Sequence, residues 1–563
     1  MFKKTFLFLL LTVASLSSDN ISTKNKMINL LESIRTDFEV GYAPKEWKKE
    51  HINWDLDEQF ELAKNQILTT ENITVSEFQQ ILKGFFLSPR DHHVGIKFFS
   101  TESAELPISI RSVDNRLFIV YVDSEKINPS LYPVFAGDEL VTINGRTAME
   151  VLIEFQKQAF HSAVEGTDRA LAQTFFTNRI ASRGHAVPSG PVTIEIKSAG
   201  SDSLRSVQLC WEYTPEMITA DVSFNKEKLP VISSFDFTGC DEPLADFDNE
   251  NPFEIGSKLG YLPSLGKKIW QSSPYDFFDA YVYQTKDRAL VGYVRLPSYS
   301  PFIPELFFES FKEVIAHFQE ITDVLVIDQT NNPGGSLLYL YAIASLLTDK
   351  PLSTPKHKFT INQYHVYEAA EMIPVLSSVQ NDQDALEIFG DTIHGYPISY
   401  QFVQFMLNYY RFIQAEWKAK KTLTSPHHLF GVDRINPHPS VNYTKPILLL
   451  IDELDFSGGD FFPAIMQDNK RAVIMGTKTA GAGGYVRNRE VSNTFGVMFY
   501  RYTESVALRE NQDHLENLGV SPDLEYRWTV DDVQGGFGDY ADAINEVVNM
   551  LLNPEETLKP EKG

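Results

Sequence analysis

The chain has 563 residues, 43% of them apolar and 12% aromatic. That composition excludes a disordered protein, and the length calls for about two to four domains rather than one core. Its 75 acidic against 50 basic residues leave a formal charge of −25. No stretch gathers the lysines and arginines into a patch, which argues against nucleic acid or an anionic membrane as partner.

Lys3 and Lys4 precede an apolar run over 6–11, followed by the small residues Ala14, Ser15, Ser17 and Ser18. This is the order of a Sec-type secretory signal peptide, expected to occupy residues 1–18. The run is too short to span a bilayer and no later stretch is long enough. A secreted protein, periplasmic or extracellular, with no membrane span is therefore expected. Cys210 and Cys240 are the only cysteines, enough for one disulfide but not for a disulfide framework.

Residues 19–102 form an N-terminal helical region. The stretch 29–70 is helical and amphipathic, with a break around Tyr42, Ala43, Pro44 and Trp47. A further helix covers 74–86: Val75, Phe78, Ile81, Leu82 and Phe85 share one face, and Thr74 and Glu77 have capping-box spacing. It runs into a loop with His92 and His93 ahead of a strand from Ile96. Residues 103–213 change to short alternating strands, including G-D-E-L-V-T-I-N-G at 137–145, a turn, a strand and an Asn-Gly turn. This strongly resembles the core signature of PDZ domains, which bind peptide tails along an exposed edge. A helical insertion over 148–181 interrupts it. Residues 214–286 are rich in Pro, Asp, Asn and Gly, with an acidic run over 241–251, and read as a linker or a covering segment exposed to cleavage.

From 287 to 530 the texture is α/β, with a mostly helical insert at 354–443 that holds His427, His428 and His438. A buried strand over 324–327 ends in Asp328 and then Asn332-Pro333-Gly334-Gly335, just before a helix. Such a glycine loop offers outward amides. A second buried strand, 447–451, leads to Phe456-Ser457-Gly458-Gly459 and a helix. A serine at that junction has its hydroxyl at the carboxyl edge of the sheet, beside the unpaired first amides of the helix. That geometry suits a nucleophile with its oxyanion donors, so Ser457 is the candidate. An isolated serine at a helix start is most often an N-cap; the rest of the chain must decide. Residues 531–563 supply a closing amphipathic helix and a charged tail.

Four features stand in one order: a histidine before a small residue and Gly, a PDZ-like module, strand-D-x-x-x-N-P-G-G-helix, and strand-x-x-x-S-G-G-helix. The last is followed by G-T-K-T-A-G-A-G-G and E-N-x-G-V-x-P-D. Together these resemble the serine peptidases of the C-terminal-processing and tricorn clan, over nearly the whole mature chain. The resemblance implies an α/β, crotonase-like (αββ) peptidase domain with an N-terminal helical region and an inserted PDZ-like β-domain. It further implies a Ser457 nucleophile, a His93 base and an orienting Glu516, with an oxyanion site from Gly458 and either Gly334 or Gly335. Processing peptidases of the clan use a lysine base in a T-F-G-K-G loop. Here Ala482 stands at that lysine's position, which excludes a serine–lysine dyad and moves the base to His93. The implied activity is a secreted serine endopeptidase acting on proteins or peptides, host proteins among them. The resemblance also implies a zymogen, with residues 214–286 as either a linker or the inhibitory segment, and a homodimer. No cofactor and no metal are expected, since H-E-x-x-H and cysteine clusters are absent from the sequence. A non-catalytic peptide- or apolar-ligand-binding protein on the same fold stays open at this point.

Overall fold

Two short apolar runs decide the architecture. Val324–Asp328 and Ile447–Ile451 are buried at every position, as expected for strands covered on both faces. They lie at the centre of a seven-stranded sheet in the order Lys267–Gln271, Asp279–Gln284, Leu290–Arg295, Val324–Asp328, Ile447–Ile451, Val473–Gly476 and Leu524–Glu525. The first two pairings are antiparallel and the other four parallel. The structure, a computed structural model, describes residues 2–128, 130–162, 164–201, 203–217 and 251–553, with residues 2–21 by backbone alone.

Side chains alternate across the sheet. Leu325, Ile327, Leu449 and Ile451 enter the core beneath helices Pro304–Ile321, Leu337–Ser345 and Gly458–Asp468. Val324, Val326, Leu448 and Leu450 point the other way, against Tyr540, Ile544 and Val548 of the C-terminal helix Gly538–Leu552. Helix Pro304–Ile321 buries the apolar face anticipated for it, Phe307, Phe308, Phe311, Val314, Ile315 and Phe318. The insert is mainly the helices Gln363–Ser378, Asp382–Phe389 and Tyr400–Lys418.

The N-terminal helices Lys45–Ile52, Leu56–Thr69 and Val75–Leu87 follow a first helix, Phe2–Gly41. The Thr74–Glu77 capping box is formed. Phe38, Phe78, Phe85 and Phe86 pack on Phe495, Tyr500 and Tyr502. Strand Gly95–Phe98 pairs antiparallel with Val497–Thr503, so the loop carrying His93 is sewn to the peptidase sheet system. In the PDZ-like domain, Asn144 and Gly145 both take positive φ, 49° and 75°, at the tight hairpin between Glu139–Ile143 and Arg146–Thr147.

Two expectations change. The segment 214–286 is not a linker throughout: residues 218–250 lie outside the described residues, but Lys267–Gln271 and Asp279–Gln284 are strands of the central sheet. Ala280 and Val282 face one core while Tyr281 and Tyr283 face the other. These strands are only five and six residues long and lie among turn residues, so their alternation is masked in the sequence. The peptidase core thus begins twenty residues before 287. The PDZ insertion is two helices, Ala148–Ala159 and Glu165–Phe176, followed by strand Asn178–Ile180. Cys210 carries an exposed free thiol, and Cys240 lies outside the described residues. The expected signal peptide falls where side chains lie outside the described set. No helix among the described residues is long and apolar enough to cross a membrane.

Candidate active site

Ser457 ends the turn after strand Ile447–Ile451 and immediately precedes helix Gly458–Asp468. Its backbone adopts φ 53°, ψ −111°, a conformation that non-glycine residues avoid and that must be held by its surroundings. Asp460 does the holding. Its buried carboxylate accepts from the Ser457 amide at 3.0 Å, the Thr479 hydroxyl at 2.5 Å, and the Gly481 and Ala482 amides at 2.8 and 2.9 Å. Burial pushes the Asp460 pKa up to about 6, while these donors favour the ionised form. Ala482, in place of a lysine base, serves here through its backbone.

The Asn332–Gly335 loop is laid directly against the serine turn. The Phe456 amide donates to the Asn332 carbonyl at 2.9 Å. A Cβ on Gly334, which has φ 93°, would stand 2.5 Å from the Phe456 carbonyl and 2.6 Å from the Gly458 nitrogen. Only glycine permits that approach. The Asn332 amide is held by Asp455 at 3.0 Å, a buried carboxyl whose pKa burial and Asp452 push well up. The Gly334 amide donates to its own loop, to Asn332 Oδ1 at 2.8 Å. Of the two glycines considered for the oxyanion site, it is therefore Gly335 whose amide has no acceptor among the described residues, beside the first amide of the helix, that of Gly458.

His93 is 5% exposed. Its amide donates to Asp91 Oδ1 at 2.8 Å, and the other Asp91 oxygen accepts from the Tyr42 and Thr503 hydroxyls at 3.0 and 2.9 Å. The two ring nitrogens have no hydrogen-bond partner among the described residues. Burial pushes the imidazole pKa down to about 4, against the opposing pull of Asp91, so the ring is neutral at neutral pH. His92 packs edge-on against Phe456 at 5.5 Å, and burial takes its pKa to about 3. Ser457, His92, His93 and Pro333 share the wall of one cavity of about 900 Å³ that extends to the PDZ-like domain at Ile108 and Tyr121.

Glu516 is fully buried behind this wall. It accepts from Lys48 Nζ and, at 3.3 Å, from the Gly483 amide. Burial, with Asp91 nearby, pushes its pKa up to about 8 against the pull of Lys48. The three insert histidines singled out from the sequence are engaged there: His427 stacks on Phe412 at 4.2 Å, His428 bonds the Thr354 hydroxyl at 2.8 Å, and His438 bonds Ser440. Lys48, Asp91 and Asp460 were not singled out from the sequence. Asp460 had a usable signal, the S-x-x-D spacing from Ser457. Lys48 had none, being one of several lysines on a polar helix.

The chain matches the profile of peptidase family S41 over residues 290–526 and that of a PDZ domain over residues 102–220. It is 35% identical to an uncharacterised protein of Chlamydia muridarum (strain MoPn / Nigg), over 98% of both chains. It is 34% identical to a protein of Chlamydia trachomatis serovar D, over 98% of this chain and 97% of that one. The solved structure of mature CPAF, the chlamydial protease-like activity factor, complexed with lactacystin superposes with a TM-score of 0.83. That match has 33% identity and covers 94% of this chain and 99% of that one. The chain therefore belongs to peptidase family S41 and is a serine peptidase.

Proposed function

We propose that this chain is a secreted serine endopeptidase that cleaves protein substrates through Ser457, His93 and Glu516. The observation that carries the proposal is the strained Ser457 turn, clamped by Asp460 and opening on the cavity that His93 also lines. Ser457 Oγ attacks the scissile carbonyl carbon while its proton passes to His93. The Gly458 and Gly335 amides donate to the oxyanion, each such donor contributing roughly 10²–10³ in rate. His93 then protonates the leaving amine, and a water molecule repeats the sequence on the acyl-enzyme. The buried carboxylate of Asp91, which pulls the His93 ring toward its charged form, favours the imidazolium that forms. Glu516, bonded to Lys48 and the Gly483 amide rather than to the ring, acts through Asp91 and the loop it is tied to. His92, edge-on to Phe456, shapes the loop.

Three finer features belong to the same proposal. The signal-like order of Lys3, Lys4 and the apolar run supports export. Resemblance to CPAF, whose solved form is described as mature, supports a zymogen whose segment within 214–286 is cut, a homodimeric enzyme, and host proteins as substrates.

A fluorophosphonate probe read by mass spectrometry tests the chemistry. Label is expected on Ser457 and lost in Ser457→Ala, and peptide hydrolysis is expected to vanish in Ser457→Ala and His93→Ala while the fold persists. Wild-type turnover in either variant removes the assignment.

A further inference from the structure

Lys48 is the only buried residue of its helix, Lys45–Ile52, and is 0% exposed. A lysine is almost never fully buried unless paired. Its three ammonium hydrogens find three acceptors: the Glu516 carboxylate, Asn517 Oδ1 at 2.6 Å and the Arg90 carbonyl at 3.2 Å. These acceptors lie on two segments distant in sequence. Arg90 opens the loop that carries His93, and Glu516–Asn517 is the turn of the orienting carboxylate. Asn517 closes the ring, donating from Nδ2 to the same Arg90 carbonyl at 2.8 Å and from its amide to Gly481 at 2.8 Å. One cation thus fixes the carboxylate relative to the base.

We propose that Lys48 is a positioning residue for hydrolysis, tying the Glu516 carboxylate to the backbone that presents His93. The proposal rests on the Ser457–His93–Glu516 reading above. The titratable groups around Glu516 are Lys48, Asp91 and, through Asp91, Tyr42 and the neutral His93 ring. Of these only Lys48 is a cation, and it favours the ionised form of both carboxyls. Without it, two buried carboxyls face each other uncompensated, and Glu516 is pushed further up, so that it ionises only at still higher pH.

The test is a double-mutant cycle of Lys48→Met and Glu516→Gln on the full chain, read by kcat, KM, the pH profile of kcat/KM and thermal melting. Lys48→Met is expected to lower kcat by on the order of 100-fold, below the roughly 10⁴-fold that loss of an orienting carboxylate costs. KM should stay within about twofold, and the acid limb should move to higher pH. On the Glu516→Gln background the same change is expected to cost nothing further. That comparison holds even where Lys48→Met alone does not fold, because the double variant carries neither charge. An equal fold-loss on both backgrounds, or wild-type kcat and pH profile in Lys48→Met, overturns the proposal. Wild-type activity in Glu516→Gln removes the triad reading instead, which keeps the two failures apart.

Discussion

The three residues proposed to carry the chemistry each sit where the environment opposes their ordinary behaviour. Ser457 is held at positive φ, His93 is neutral because it is buried, and Glu516 is pushed up to about 8 by burial beside Asp91. The last shift predicts the pH profile. An orienting carboxylate must be ionised, so kcat/KM is expected to rise with pH through about 8. The His93 ring, pushed to about 4, adds no limb above that rise. The sign for stability is opposite. A carboxyl with a raised folded pKa binds its proton more tightly in the folded protein, so this group withdraws stability as pH climbs from the ordinary carboxyl range through 8. A pH–rate profile beside melting curves at the same pH values checks both, and a rate plateau reached by pH 6 refutes the Glu516 role. Ser457 was legible in the sequence because strand, turn and helix punctuate it on both sides. Lys48 was not, because a lysine in the polar stretch KEWKKEHI looks like a solvated face until the partner, 468 residues away, is in place.

Among the elements, the N-terminal helices and the hairpin Val486–Arg489 with Val497–Thr503 form one aromatic cluster. The Phe38 ring lies 5.1–5.6 Å from those of Tyr42, Phe85, Phe86 and Tyr502. Gly41 is packed against Tyr502 so closely that a Cβ would fall 2.5 Å from the ring. This cluster seats both the His93 loop, through Tyr42 and Thr503 on Asp91, and Lys48. Phe38→Ala is expected to lose about 3–5 kcal/mol of stability, with a lower kcat at temperatures where the protein is still folded. Denaturant titration and kinetics on the same preparation measure this, and a loss below about 1 kcal/mol refutes the coupling. The helix Val75–Leu87 was readable from its capping box and 3.6-residue apolar spacing. The strands Lys267–Gln271 and Asp279–Gln284 were not, because short alternating runs between prolines and aspartates take their pairing partners from elsewhere in the chain.

At the scale of the molecule, the cavity at Ser457 runs between the peptidase domain and the PDZ-like domain, and Asn251 and Phe253, within the segment proposed to be cut, line it as well. Activation is expected to leave the chain cut within 214–286, with activity appearing alongside the fragments on a denaturing gel and two chains per particle by light scattering. Full activity in a single uncut chain refutes the zymogen. The sequence by itself determined the α/β class, the PDZ-like module, the Ser457 turn and the glycine loop, because each is written in local periodicity, turn residues and short spacing. Only the tertiary structure decided which glycine amide stays free, that Asp460 clamps the serine turn, and that Lys48 joins the histidine loop to Glu516. Those are contacts between segments far apart in sequence, set by how buried charges find partners, and no local pattern encodes them.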